Sequence, residues 1–236
     1  MRNRAFLFLV TMLTLCSFHS PAVAEDLSAL ADQGAYTLVE KATGGRCPVK
    51  ISYPVFGRPA LDRGVSHWVN RYFEQNARGC ADAAKDMPGQ ERLWNEIGSG
   101  RVASATRGTV SIHFAFMADG GGAHPIHPEY TLVLNAEGRA LDHTDLFANP
   151  GGLWAALSKH CFTDLQRQMT PQDCFDAEEV RRGLSPTADS FSLFLVTPQG
   201  LTMIFPEYQV AAFVCGSYQC EVPARVLMPF APKPGI

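Results

Sequence analysis

Six cysteines in a chain marked for export limit what this sequence can fold into more than any other feature. The amino terminus reads as a secretory leader: Arg2 and Arg4 make a positive n-region, and Ala5 to Cys16 is a mostly apolar stretch too short to span a bilayer. Ala22-Val23-Ala24 fits the small-x-small rule for cleavage before Glu25. Of 7 cysteines, Cys16 leaves with the leader, and Leu15 ahead of it is not the small residue that lipidation wants. Cys47, Cys80, Cys161, Cys174, Cys215 and Cys220 remain. An even set in an oxidising compartment implies disulfides before metal. Fifteen pairings are open, and the sequential one is expected here. Its loops of about 34, 14 and 6 residues would contribute roughly 4, 3 and 2 kcal/mol as upper figures on the chain-entropy account. No Cys-x-x-Cys pair occurs, which argues against a thioredoxin-like redox role.

Cleavage would leave about 212 residues, enough for one sizeable domain or two intimate halves. Losing Arg2 and Arg4 takes the formal charge from −3 to −5. That balance disfavours nucleic acid, which rewards clustered Lys and Arg. No second apolar span follows the leader, so the expected destination is periplasmic or secreted, with no membrane span after cleavage. The organisation expected is a leader over 1–24, a flexible lead-in over 25–46, an N-terminal α+β half over 47–118, a C-terminal half over 119–230, and a frayed tail over 231–236.

Val49, Ile51, Tyr53 and Val55 alternate as in a half-buried strand, where Pro54 suits an edge or a bulge. Leu61, Val65, Trp68, Val69, Tyr72 and Phe73 then trace one face of a helix. Cys80 falls on that face if the helix continues, and a bond to Cys47 would pin the helix end to the start of the strand. Residues 84–108 read as polar and turn-rich, with Trp94 as an anchor. Val110, Ile112, Phe114 and Phe116 mark another strand, with His113 on its opposite face. Tyr130 to Asn135 and Arg139 to Asp142 read as a hairpin, and Asn149-Pro150 as a helix start ahead of Leu153, Trp154, Leu157, Cys161 and Leu165. Asp176 and Glu179 resemble a capping box for a short helix that Gly183 ends. Phe191 to Thr197 and Leu201 to Phe205 form a second hairpin, Cys215 to Cys220 a tight loop, and Val222 to Leu227 a last strand. The fold class expected is α+β, an antiparallel sheet with amphipathic helices on one face, stabilised by disulfides.

Candidate chemistry is sparse. His124 and His127 form a His-x-x-His pair with Asp119, Glu129 and His143 nearby in sequence, but Pro125 and Pro128 exclude a regular helix and hold the pair extended. Chelation is then not preorganised, so no metal and no cofactor are expected, and His124 reads as a brace for the glycine-rich turn. Gly98-Ser99-Gly100 lacks the spacing of a nucleophile elbow, and Gly120-Gly121-Gly122 lacks that of a phosphate loop. Glu178 and Glu179 are adjacent on a helix and do not converge on a substrate. No catalytic set emerges, and the chain is not expected to be an enzyme.

Three stretches together resemble the extracytoplasmic domain of RsiV-type anti-sigma factors and the region ahead of the catalytic domain in PdaC-type peptidoglycan deacetylases. They are Val49 to Phe73; Gly121-Gly122-Ala123-His124-Pro125 with the strand, the Glu137-Gly138 turn and Asp145-Leu146-Phe147; and Gly200-Leu201 through Phe205-Pro206-Glu207-Tyr208-Gln209-Val210-Ala211 and Gly216 to Val222-Pro223. The resemblance implies an α+β domain outside the cytoplasm. In one member of the family the domain binds lysozyme, and in the deacetylases it accompanies a separate enzyme. Neither an anti-sigma segment nor a deacetylase domain is legible here, so a bare binding module is expected, with lysozyme or peptidoglycan as partner. The binding residues expected are those of the two loops that carry the likeness: His124, Pro125 and His127 in a loop stiffened by its prolines, and Glu207 and Tyr208, the latter a candidate aromatic anchor. The alternatives are a metal-assisted envelope hydrolase using His124 and His127, and a structural envelope protein without a small ligand.

Overall fold

The computed structural model describes residues 26–169 and 174–233; the stretch expected to be a leader, Cys16 included, lies outside them. Pro59 stands in the first turn of a long helix, α1 (Pro59–Asp86), whose Leu61, Val65, Val69 and Phe73 recur every fourth residue and are all buried. The helix joins two strands of one sheet, β2 (Val49–Val55) and β3 (Asn95–Ala105), and a helical crossover makes neighbouring strands parallel. With β1 (Thr37–Thr43), β4 (Thr109–Asp119) and β5 (Glu129–Asn135) the order is β1-β2-β3-β4-β5, antiparallel everywhere else. Parallel pairing reaches only to Ser52, so Pro54, which has no N–H to offer, lies beyond the β3 side of the ladder.

Between α1 and the sheet the core is layered by glycine and aromatic residues. Gly98 and Gly100 lie opposite Phe116 and Phe114, whose rings lie across them. A β-carbon at either glycine would stand 2.3 Å from the facing ring. Trp68 stacks on Phe114 at 4.0 Å and Tyr72 on Phe116 at 4.6 Å, completing a glycine, phenylalanine and helix-aromatic sandwich.

The second half packs a three-stranded antiparallel sheet, β6 (Phe194–Thr197), β7 (Gly200–Phe205) and β8 (Tyr218–Pro223), against α3 (Leu153–Gln168), whose Leu153, Leu157, Cys161 and Leu165 are buried. Short helices α2 (His143–Leu146), α4 (Ala177–Gly183) and α5 (Ala224–Leu227) complete it. Strand β6 has a free edge, and that edge rests on the outer face of the first sheet. The Ser111 hydroxyl donates to the Val196 carbonyl at 3.1 Å and accepts from its N–H at 2.9 Å, and Thr131 Oγ1 accepts from Phe194 N–H at 3.2 Å. Two hydroxyls thus satisfy backbone groups that an edge would leave open. This explains why β4, a one-faced alternation further on, is continuously buried from Thr109 to Ile112. Replacing Ser111 with alanine leaves both buried Val196 groups without their partner, and a loss of about 2 kcal/mol is expected in denaturant unfolding.

Several sequence expectations are corrected. Of the lead-in expected over 25–46, the described residues 26–46 are not loose: Leu27 is fully buried and β1 pairs along its whole length with β2. The turn-rich reading of 84–108 misses β3. Residues 139–142 contribute a single bridge, Leu134 to Ala140, because Asp142 turns away to cap α2, its carboxylate accepting from the N–H groups of Thr144 and Asp145. Asn149 does not cap α3, which starts at Leu153 after Gly152 at φ 80°. The Asn149 N–H instead donates to Phe230 O, and with Lys233 N–H to Leu146 O it pins the tail through Lys233. Val222 ends a strand that gives way to α5 rather than starting one.

The six cysteines of the described residues are all bonded, Cys47 to Cys80 as expected, but the other pairs are Cys161–Cys220 and Cys174–Cys215. Helix α3 lies against β8, so Cys161 on its buried face meets Cys220 on the inner face of that strand. Cys215 closes a 3₁₀ turn, Phe213–Cys215, and reaches Cys174 ahead of α4 instead.

Candidate functional site

The loop after β4 and the loop after β7 meet at the surface. His124 Nδ1 donates to the Pro125 carbonyl at 2.9 Å, which fixes the tautomer and leaves the Nε2 lone pair facing the Tyr208 hydroxyl at 3.4 Å. His127 Nδ1 lies 2.9 Å from Glu207 Oε1, the imidazole N–H donating to the carboxylate. Phe213 sits between them. His124 stacks on it at 3.9 Å, and Tyr208 and His127 flank it at 5.6 and 6.1 Å. The structure therefore brings His124, His127, Glu207 and Tyr208 into one ledge, with Pro125 as the backbone acceptor. Phe213, which the sequence reading passes over, is its centre. Phe205 is fully buried and belongs to the core.

The ledge is held from behind. The Gln209 amide donates to the Gly183 and Ser190 carbonyls at 3.1 and 2.8 Å, and Val210 and Ala211 are buried. Gly183 permits the approach, since a β-carbon there would lie 1.9 Å from Gln209 O. The Cys174–Cys215 disulfide closes the far side, two residues beyond Phe213. These anchors hold Tyr208 at φ 68°, a left-handed backbone that a tyrosine adopts only at a cost. Core burial does not repay it, for the residue is 60 % exposed.

Beside the ledge, His113 Nε2 lies 2.7 Å from Glu129 Oε2. Burial pushes the Glu129 carboxyl up, but hydrogen bonds from His113 and Ser217 and the nearby imidazoles of His113 and His127 outweigh it and hold the carboxyl below its ordinary range. Glu129 is thus a fixed anion behind the histidine loop.

Residues 144–225, from α2 to the start of α5, match the model of DUF3298, a protein family of unknown function. That likeness is confined to these 82 of the 236 residues. The match takes in Glu207, Tyr208, Phe213 and four of the bonded cysteines, and leaves out the histidine loop and α1. A crystal structure of a DUF3298 family protein from Pseudomonas aeruginosa is similar over 87 % of this chain and 97 % of that one, with 16 % identity and a TM-score of 0.56. A DUF3298 member from Bacteroides fragilis is similar over 85 % and 93 %, with 16 % identity and a TM-score of 0.50. At such identity the likeness is one of fold, and it extends beyond the DUF3298 match into the first half. No curated protein matches the chain.

The metal-assisted reading finds no preformed ligand set in this arrangement. Both His124 nitrogens are engaged by protein groups, and among the described residues no three His, Cys, Asp or Glu side chains are grouped to hold an ion. Nor does any described helix have the length and apolarity to cross a membrane.

Proposed function

We propose that this protein is an extracytoplasmic binding module without catalysis of its own, and that the ledge of His124, His127, Glu207, Tyr208 and Phe213 is its contact surface. The observation that carries this reading is Tyr208: a large aromatic held in a strained backbone and left in solvent beside a stacked imidazole. Strain that the surroundings over-determine and that core burial does not repay is a feature of ligand-contacting sites. The ligand class that best suits the surface is a peptidoglycan-type glycan. Aromatic faces stack on sugar rings, while imidazole and carboxylate groups exchange hydrogen bonds with hydroxyls. The resemblance to RsiV-type domains in both loops favours lysozyme as the alternative partner, for which Tyr208 would be the anchor.

Tyr208→Gly separates contact from fold. Glycine accepts the left-handed backbone, so the variant is expected to unfold at the same denaturant concentration or to gain up to about 1 kcal/mol. Its retention on immobilised lysozyme or on peptidoglycan, whichever holds the natural protein at physiological salt, is expected to fall at least about tenfold. Equal retention of the variant removes the ledge from the account, and a natural protein that neither matrix retains removes both named partners. Stoichiometric zinc in purified protein, lost on His124→Ala, would instead support the metal-assisted hydrolase.

A further inference from the structure

Helix α1 presents a second side toward the turn that follows β5. Arg63, His67 and Arg71 recur every fourth residue there, one above another, and all three are exposed. The turn closes against the helix because two glycines let the backbones meet. A β-carbon at Gly64 would lie 2.4 Å from Gly138 O, and one at Gly138, where φ is +75°, would lie 2.0 Å from Ala60 O. The cleft so formed holds about 440 Å³, with Arg63, His67, Arg71 and Arg139 around it, Trp68 and Leu132 as its apolar part, and Glu137 as its single acid. A second hollow of about 280 Å³ adjoins it and shares Trp68, Arg71 and Leu132.

Arg139 is committed to Asp145 at 2.7 Å, but Arg63 and Arg71 take part in no ion pair among the described residues. Two unpaired guanidiniums thus share one cleft in a chain whose formal charge is −3. Among the described residues neither has a carboxylate partner of its own, and the planar guanidinium fork matches phosphate and carboxylate. Glu137 would repel a bare anion but accepts from hydroxyl groups, which selects a polyhydroxylated carrier. Trp68 and Leu132 give such a carrier an apolar surface. We propose that this cleft binds a sugar bearing an oxyanion, with the phosphate or carboxylate group between Arg63 and Arg71 and the ring beside Trp68 and Glu137. The site shares no residue with the Tyr208 ledge and does not depend on it.

The test is titration calorimetry of the folded mature protein at fixed ionic strength with glucose 6-phosphate, glucuronate, glucose and inorganic phosphate. At least one of the two anionic sugars is expected to bind at least about tenfold more tightly than glucose and than inorganic phosphate. Preference for one or the other identifies the phosphate or the carboxylate as the group recognised. The Arg63→Gln, Arg71→Gln double variant, altered only at exposed positions, is expected to melt as the natural protein does and to lose at least about tenfold in that affinity. Tyr208→Gly is expected to leave it unchanged, so failure here and failure of the ledge are read separately. The proposal is overturned if neither anionic sugar is preferred over glucose, if inorganic phosphate binds as tightly as the sugar that carries it, or if the double variant binds undiminished.

Discussion

Between pH 7 and pH 4 the protein is expected to lose about 3 kcal/mol of stability through one side chain, His143, at 1.36 kcal/mol per unit of pKa shift. The residue opens α2, is 6 % exposed, and lies against Trp154 at 4.7 Å and Phe194 at 4.3 Å. Burial lowers its pKa from 6.5 to about 4; a hydrogen bond with the Phe191 backbone and the charge of Asp142 oppose that shift without reversing it. Its Nε2 is buried with no partner, so a proton there would be neither solvated nor paired. Between these two pKa values the unfolded chain binds a proton that the folded chain refuses. The contribution is therefore complete above pH 6.5, declines as pH falls, and declines no further below about 4. Carboxylates such as Asp142 lose their own contributions at lower pH, so the comparison must be a difference. Urea unfolding of the natural protein and of His143→Phe at pH 7, 5.5 and 4.5 checks it. The stability difference is expected to move steadily in favour of the variant as pH falls, and a difference independent of pH would contradict the assignment.

Gly100→Val is expected to destabilise by about 3 kcal/mol, the upper range for overpacking a filled core, and to do so through Phe114. The first added carbon would stand 2.3 Å from the Phe114 ring, which Trp68 backs at 4.0 Å. The ring has no room to retreat without moving α1. Gly100→Val combined with Phe114→Leu, which removes the obstructing ring, is expected to recover part of the loss; thermal unfolding of both variants measures it. If the single variant melts with the natural protein, the layered packing is not what holds helix to sheet.

Helix α1 and strand β4 were legible because each buries one face along much of its length and so writes a period into its residues, and the β6–β7 hairpin because two apolar runs flank Pro198-Gln199-Gly200. Strand β1 left no such mark, since most of its side chains are exposed and a backbone ladder with β2, rather than a buried face, places it. Strand β3 was masked by Gly98 and Gly100, which read as turn residues and instead make space for rings contributed by β4. Beyond Cys47–Cys80 the disulfides could not be ordered from spacing, because the contact of α3 with β8 that joins Cys161 to Cys220 is tertiary and leaves no local trace. The candidate ledge was legible as two separate loops, His124 to Pro128 and Phe205 to Tyr208. Its centre was not: Phe213, between Ala212 and Val214 on an irregular turn, has no period to announce it. The left-handed backbone of Tyr208 was equally silent, as nothing in the residue type requires it.

The most direct test of the ledge is a backbone amide spectrum of the labelled mature protein, recorded as lysozyme and then soluble peptidoglycan fragments are added. The account predicts that one of the two shifts resonances clustered at residues 124–127 and 207–214. Shifts confined to other surfaces, or no shifts with either partner, would contradict it.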